Sequence, residues 1–194
     1  MTHASIREEL LLDANCAPWD ATATRGAAFE AVIAERLGAR HAIAVASPTT
    51  AFQIAYRAAG VPLGATVLTS SLADPTVVRA TVGGGLRPRF ADVDARGHLA
   101  AAAVAAHAAI HGEPAVLVPS HFAGHPYDSR ALAAAAPRAL VIEDAIDALG
   151  AVHADGRPVG QPGHAILAVL GVRPAGAMAP AQGALLVTDD RTLA

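Results

Sequence analysis

Ala139 to Ala151 reads ALVIEDAIDALGA, and this stretch decides the fold. Ala139, Leu140, Val141 and Ile142 form an unbroken apolar run of the length of a strand buried on both faces. Glu143 and Asp144 follow where that strand is expected to run out. In an open parallel sheet, ligands sit just beyond the carboxyl ends of the strands, so a carboxylate there is placed to meet one. The competing reading is an N-cap, because Asp at a strand-to-helix turn satisfies free backbone N–H groups.

Working outward, apolar runs of strand length alternate with helical periodicity. Upstream, the spacing predicts a helix over Arg25–Leu37, with Phe29, Val32, Ile33 and Leu37 on one face and Gly38 as its stop. Strands are expected at His41–Ala46, Ala65–Leu68, Pro88–Val93 and Ala115–Val118. Downstream they are expected at Ala165–Leu170 and Ala184–Val187. Between them, helices are expected after Ser47-Pro48-Thr49-Thr50, over Pro75–Val82, over Leu99–Ile110 and over Ser129–Ala136. Seven strands alternating with helices predict a three-layer α/β/α sandwich around a mostly parallel sheet. The division expected is an arm over 1–24 and one large domain over 25–194.

Composition narrows the function classes. About a quarter of the 194 residues are Ala, 53% are hydrophobic and 4% aromatic, so the core is built of small aliphatics. A net charge of −3 without a basic stripe argues against nucleic acid as a partner. The apolar runs are too short and too interrupted to span a bilayer, and MTHASIREELLLD does not read as a secretory leader. A cytoplasmic location is expected. Cys16 is the only cysteine, so no internal disulfide can form. All 14 basic residues are Arg; the sequence contains no lysine.

Several linked motifs carry a resemblance. Phe29-Glu30 ahead of RLGARHAIAVAS, the run through Val67–Asp94, SHFAGHPYD at Ser120–Asp128, and VIEDAIDALGA followed by GRPVG at Gly156–Gly160 occur in this order. Together they resemble the DegT/StrS-type sugar aminotransferases, which are PLP-dependent. The resemblance covers Trp19 to Asp190. It implies the large domain of the PLP-dependent transferase fold with a seven-stranded sheet. In the family a smaller C-terminal domain follows; the sequence in hand ends at Ala194, before such a domain would start.

The same resemblance implies a cofactor pocket that this sequence alters. Asp144 stands where the family places the partner of the pyridine nitrogen, which makes the ring an electron sink. Asp147 stands where a Gln or His usually meets the ring oxygen. Ser47, Thr49 and Thr50 occupy the phosphate-binding turn at a helix N-terminus, with Pro48 replacing the family's glycine. Asp74 takes the place of the aromatic that stacks on the ring, and His121 matches the motif histidine of SHFAGHPYD. The Schiff-base lysine maps to Ala175 or Gly176, just after Arg173-Pro174, and Arg173 is too basic to replace it. His164 lies nearby in sequence, but at the start of the preceding strand. PLP or its aminated form PMP, not covalently held, is therefore the cofactor implied by resemblance, or none at all.

Other chemistries find little support. His107 and His111 have the i, i+4 spacing of a zinc pair, as do His121 and His125, but no third ligand completes either, so no metal site is expected. No GxSxG elbow, GxGxxG or P-loop occurs. The reading that follows is a degenerate aminotransferase-like subunit that binds or scaffolds in amino-sugar or natural-product biosynthesis. Two alternatives stand beside it. One is an enzyme re-using the pocket with Asp144, Asp147, His121 and Asp74 as acid–base groups. The other is a nucleotide-sugar aminotransferase completed by a partner's lysine. A homodimer, or a heterodimer with an aminotransferase-like partner, is expected through Ser47–Thr50 and Ser70–Pro75.

Overall fold

The computed structural model describes residues 22–163, 165–172 and 183–194. Helix α1 spans Thr22–Leu37 and ends at Gly38, whose φ of 64° suits glycine. Strand β1 (His41–Val45) leads through Ser47 into α2 (Pro48–Ala58). Next come β2 (Thr66–Ser70), α3 (Pro75–Gly83), β3 (Arg87–Ala91) and α4 (Ala101–His111). After β4 (Val116–Val118), a 3-10 turn (Phe122–Gly124) and α5 (Ser129–Ala135), the chain enters β5 (Leu140–Ala145). Strands β6 (Leu167–Val172) and β7 (Gly183–Thr188) complete the sheet.

All seven expected strands are present, in the order β1-β7-β6-β5-β4-β2-β3. Strand β7 runs antiparallel to both its neighbours, and every other pairing is parallel. Side chains alternate between two apolar layers. Ile142, Leu167, Val169, Ala184 and Leu186 pack under α2 and α3, around Phe52, Tyr56, Val77 and Ala80. Ala145, Ala168, Leu170, Leu185 and Val187 pack under α1, and Leu68, Leu117 and Val141 under α4 and α5. This is the three-layer sandwich. Each fully buried large side chain, such as Phe52 at 0% exposure, contributes on the order of 1.5–3 kcal/mol relative to an exposed one.

The helix starts follow local chemistry. Pro48 and Pro75 both open helices, a position where the missing N–H costs nothing, and Ser47 and Asp74 cap them. Glycine is required at Gly171, where a Cβ would lie 2.4 Å from the carbonyl oxygen of Ile146. Strand β6 can pass the turn after β5 only without a side chain at that point.

Most element boundaries shift by one to three residues from the sequence reading, β2 running on to Ser70 and β6 lying two residues later among them, and four of the differences are informative. Helix α1 begins at Thr22, inside the segment read as an arm. Strand β3 stops at Ala91, because Asp92 and Asp94 turn their carboxylates onto the N–H groups of Val93, and of Arg96 and His98. Helix α4 starts at Ala101, because Leu99 is held in a β-bridge to Val93. The largest difference is in β5. It does not end at Ile142 but runs through Glu143 and Asp144, which pair with Ala168 and Val169 of β6. Among the described residues no helix follows it before β6, so the reading of Asp144 as a helix cap is overturned.

Candidate functional site

Extending β5 by three residues changes what its two acids do. Adjacent strand residues point to opposite faces of a sheet. Asp144 therefore shares the face of Ile142, under α2 and α3, while Glu143 shares the face of Val141, under α4 and α5. Both are 5% exposed.

On the first face, Ser120 Oγ donates to Asp144 Oδ2 at 2.6 Å, and Ile146 N–H donates to Oδ1 at 3.3 Å. The backbone is tied as well: Asp144 N–H donates to Pro119 O, and His121 N–H donates to Asp144 O, both at 2.9 Å. Burial pushes the Asp144 carboxyl up to about 6. The two hydrogen bonds oppose that, Asp74 adds to it by like charge, and His121 pulls against it. Tyr56, fully enclosed beneath α2, bonds Thr81 at 3.0 Å and is pushed up to about 12, chiefly by burial. A carboxyl poised near neutrality at the end of a strand, with a second acid in electrostatic reach, can hold or accept a proton on a ligand.

Asp74 is the N-cap of α3, its Oδ1 accepting from Thr76 N–H at 2.7 Å. Ser47 caps α2 in the same manner, accepting from Thr50 N–H at 3.1 Å, with the two hydroxyls 2.9 Å apart. Thr49 is half-buried beside them. Asp147 is exposed past the strand end. His121 does not join Asp144: its ring lies on the other face, Nε2 3.6 Å from Glu143 Oε2. Asp74 and His121 thus both act on the Asp144 charge, with opposite signs and His121 from the other face, while Asp147 is exposed past the strand end. Arg173, Pro174, Ala175, Gly176 and His164 lie outside the described residues.

Ser120 and Tyr127 escaped the sequence reading as individual site residues. Tyr127 O–H donates to Glu143 Oε1 at 2.9 Å. The signal was available in the strand period, since a strand carried two residues further sends Glu143 to the face opposite Asp144. His107 and His111 do lie ring to ring at 5.0 Å, but among the described residues no group of three metal-binding side chains occurs. Burial, followed by His111 and Arg89, holds His107 below the usual imidazole range.

The profile of the DegT/DnrJ/EryC1/StrS aminotransferase family matches residues 8–194. The chain belongs to that family. Solved structures agree. An aminotransferase from Psychrobacter cryohalolentis is 27% identical with a TM-score of 0.79, over 100% of this chain and 49% of that one. DesI, determined in the presence of its TDP-sugar product, is 30% identical with a TM-score of 0.76, over 98% of this chain and 47% of its own. The sugar aminotransferase CalS13 from Micromonospora echinospora is 26% identical with a TM-score of 0.76, over 100% of this chain and 53% of its own. The chain thus spans about half the length of these relatives. Among the described residues, no helix is long and apolar enough to cross a membrane.

Proposed function

We propose that this member of the DegT/DnrJ/EryC1/StrS family is a binding or scaffolding subunit in amino-sugar or natural-product biosynthesis, which does not itself carry out Schiff-base transamination. The single observation that carries this is the absence of lysine from all 194 residues, the segment between β6 and β7 included. The pocket adds to it. Asp144 suits a pyridine nitrogen, but Asp74 sets a second carboxylate in electrostatic reach of it, where the resemblance calls for an aromatic face. Ser47 Oγ is already engaged with Thr50 N–H, and Asp147 is an exposed anion where the resemblance calls for a neutral donor. These residues do not fit PLP held as the family holds it.

Two coupled carboxylates favour a ligand that brings positive charge, so an amine-bearing small molecule such as an amino sugar is the ligand chemistry proposed. A second copy of these 194 residues supplies no lysine either. The test is incubation of N-terminally acetylated protein with PLP, borohydride reduction and peptide mapping. The expected result is no reduced adduct on any peptide. A stoichiometric adduct within the pocket overturns the proposal.

A further inference from the structure

Behind the sheet from Asp144 lies a buried polar cluster for which the proposed function has no use. His121 is 2% exposed, Tyr127 3% and Glu143 5%. The Tyr127 hydroxyl donates to Glu143 Oε1 at 2.9 Å, and the His121 ring lies 4.5 Å from the Tyr127 ring, centre to centre. His153 closes the cluster edge-on to His121 at 5.6 Å. Glu143 Oε2 and both ring nitrogens of His121 are buried without a hydrogen-bond partner, the nearest approach between them being 3.6 Å. Burying unpaired polar atoms is costly, and groups kept in that state have a reason beyond packing.

The cluster is wired to Asp144 through one short stretch of backbone. Ser120 and His121 are neighbours: Ser120 sends its hydroxyl to the Asp144 carboxylate, and His121 sends its ring to Glu143. The His121 N–H also bonds the Asp144 carbonyl, and Ser120 bridges Asp144 in parallel register. The His121 ring and the Ser120 hydroxyl are thus anchored on the same short segment, on opposite faces of the sheet. We propose that His121, Glu143 and Tyr127 are positioning residues, which hold the Ser120–Asp144 pair from the opposite face of the sheet.

The groups facing the cluster fix the signs. Glu143, Tyr127 and His153 face His121; Arg157 and Asp155 act on His153 from the following turn. Ser120, the Ile146 N–H, Asp74 and His121 act on Asp144, of which His121 lowers its pKa. Burial and the Glu143 carboxylate hold the Tyr127 phenol well above its ordinary range, so it stays a donor. Removing the imidazole takes away a group that favours ionised Asp144. Removing the phenol takes the donor from Glu143 Oε1 and one packing surface from the His121 ring, and so loosens the Ser120 hydroxyl on Asp144. Weakening that hydrogen bond favours protonated Asp144.

The inference rests on Asp144 being the ligand-facing acid, but its test needs no ligand, so it fails separately from the proposed function. The full chain, carrying carbon-13-labelled aspartate, is titrated by NMR with Asp144→Asn assigning the resonance. His121→Asn and Tyr127→Phe are each expected to raise the Asp144 midpoint by about half a unit or more. A raised midpoint in a variant that still folds is the signature, since loss of packing alone would lower the melting temperature without moving the Asp144 midpoint. If either variant does not fold, the other still carries its own sign. Midpoints unchanged or lowered in the folded variants overturn the proposal.

Discussion

Asp144 has a stability consequence that its geometry makes measurable. Its carboxyl ionises at 3.8 when unperturbed and at about 6 in the fold, chiefly because it is buried. The folded state therefore holds this proton more tightly than the unfolded chain does. Its effect is absent below the unfolded value, grows as pH rises from about 4 to 6, and then destabilises the fold by a constant amount. Two units correspond to about 3 kcal/mol. Asn at this position can keep a polar contact with Ser120 and Ile146 without ionising. The stability difference between Asp144→Asn and the parent protein should therefore swing in favour of the variant by about 3 kcal/mol between pH 4 and 7. Denaturant unfolding at several pH values checks it; a pH-independent difference would mean that the carboxyl is not buried as described. On the same reasoning, Asp144→Asn should weaken binding of a cationic ligand above pH 6, which calorimetry with an amino sugar would read.

At the scale of elements, helix α3 separates two roles of Asp74. As N-cap, it can be replaced by Asn with little loss, whereas Ala should cost about 0.5–2 kcal/mol. As a like charge near Asp144, it raises that group, and either replacement removes the charge. Asp74→Asn should therefore lower the Asp144 midpoint at almost unchanged stability, and Asp74→Ala should lower both; NMR titration and thermal unfolding separate them. Gly171→Ala should destabilise by on the order of 1–3 kcal/mol, since its Cβ would meet the backbone oxygen of Ile146. The elements themselves were legible in the sequence, because seven apolar runs and helical spacings carry strong periodic signals. The end of β5 was not: two adjacent acids look like a terminus, and only the ladders to β6 and to Ser120 show them inside the strand. The same blindness hid the cluster around His121, whose members come from positions 121, 127, 143 and 153. The motif resemblance singled out Asp144 but said nothing of which face Glu143 would take.

The whole molecule poses the question of what covers its surface. Leu63 is 84% exposed, Val82 59% and Leu72 47%, on a chain that is 53% hydrophobic. We propose that the edge around Ser71, Leu72 and Pro75, with the half-buried Ser47–Thr50 turn, meets a second copy of this chain or a related aminotransferase-like subunit. Ser70, included in that face by the sequence reading, is 1% exposed and belongs to the interior. Its neighbours Ser71, Leu72 and Pro75 remain outward. A two-fold contact is self-complementary, so one substitution acts on both sides of it. Leu72→Arg places a strongly hydrated charge on this face while leaving the β2 ladder and the Asp74 cap intact. Light scattering across a concentration series should show the parent protein as a dimer and Leu72→Arg shifted towards monomer, with circular dichroism unchanged. The heteromeric form requires the parent chain to dimerise only when mixed with its partner, and Leu72→Arg to block that mixing. A parent chain that stays monomeric at high concentration, and also when mixed with a family member, would remove this face as an interface, while leaving the pocket around Asp144 to be tested on its own.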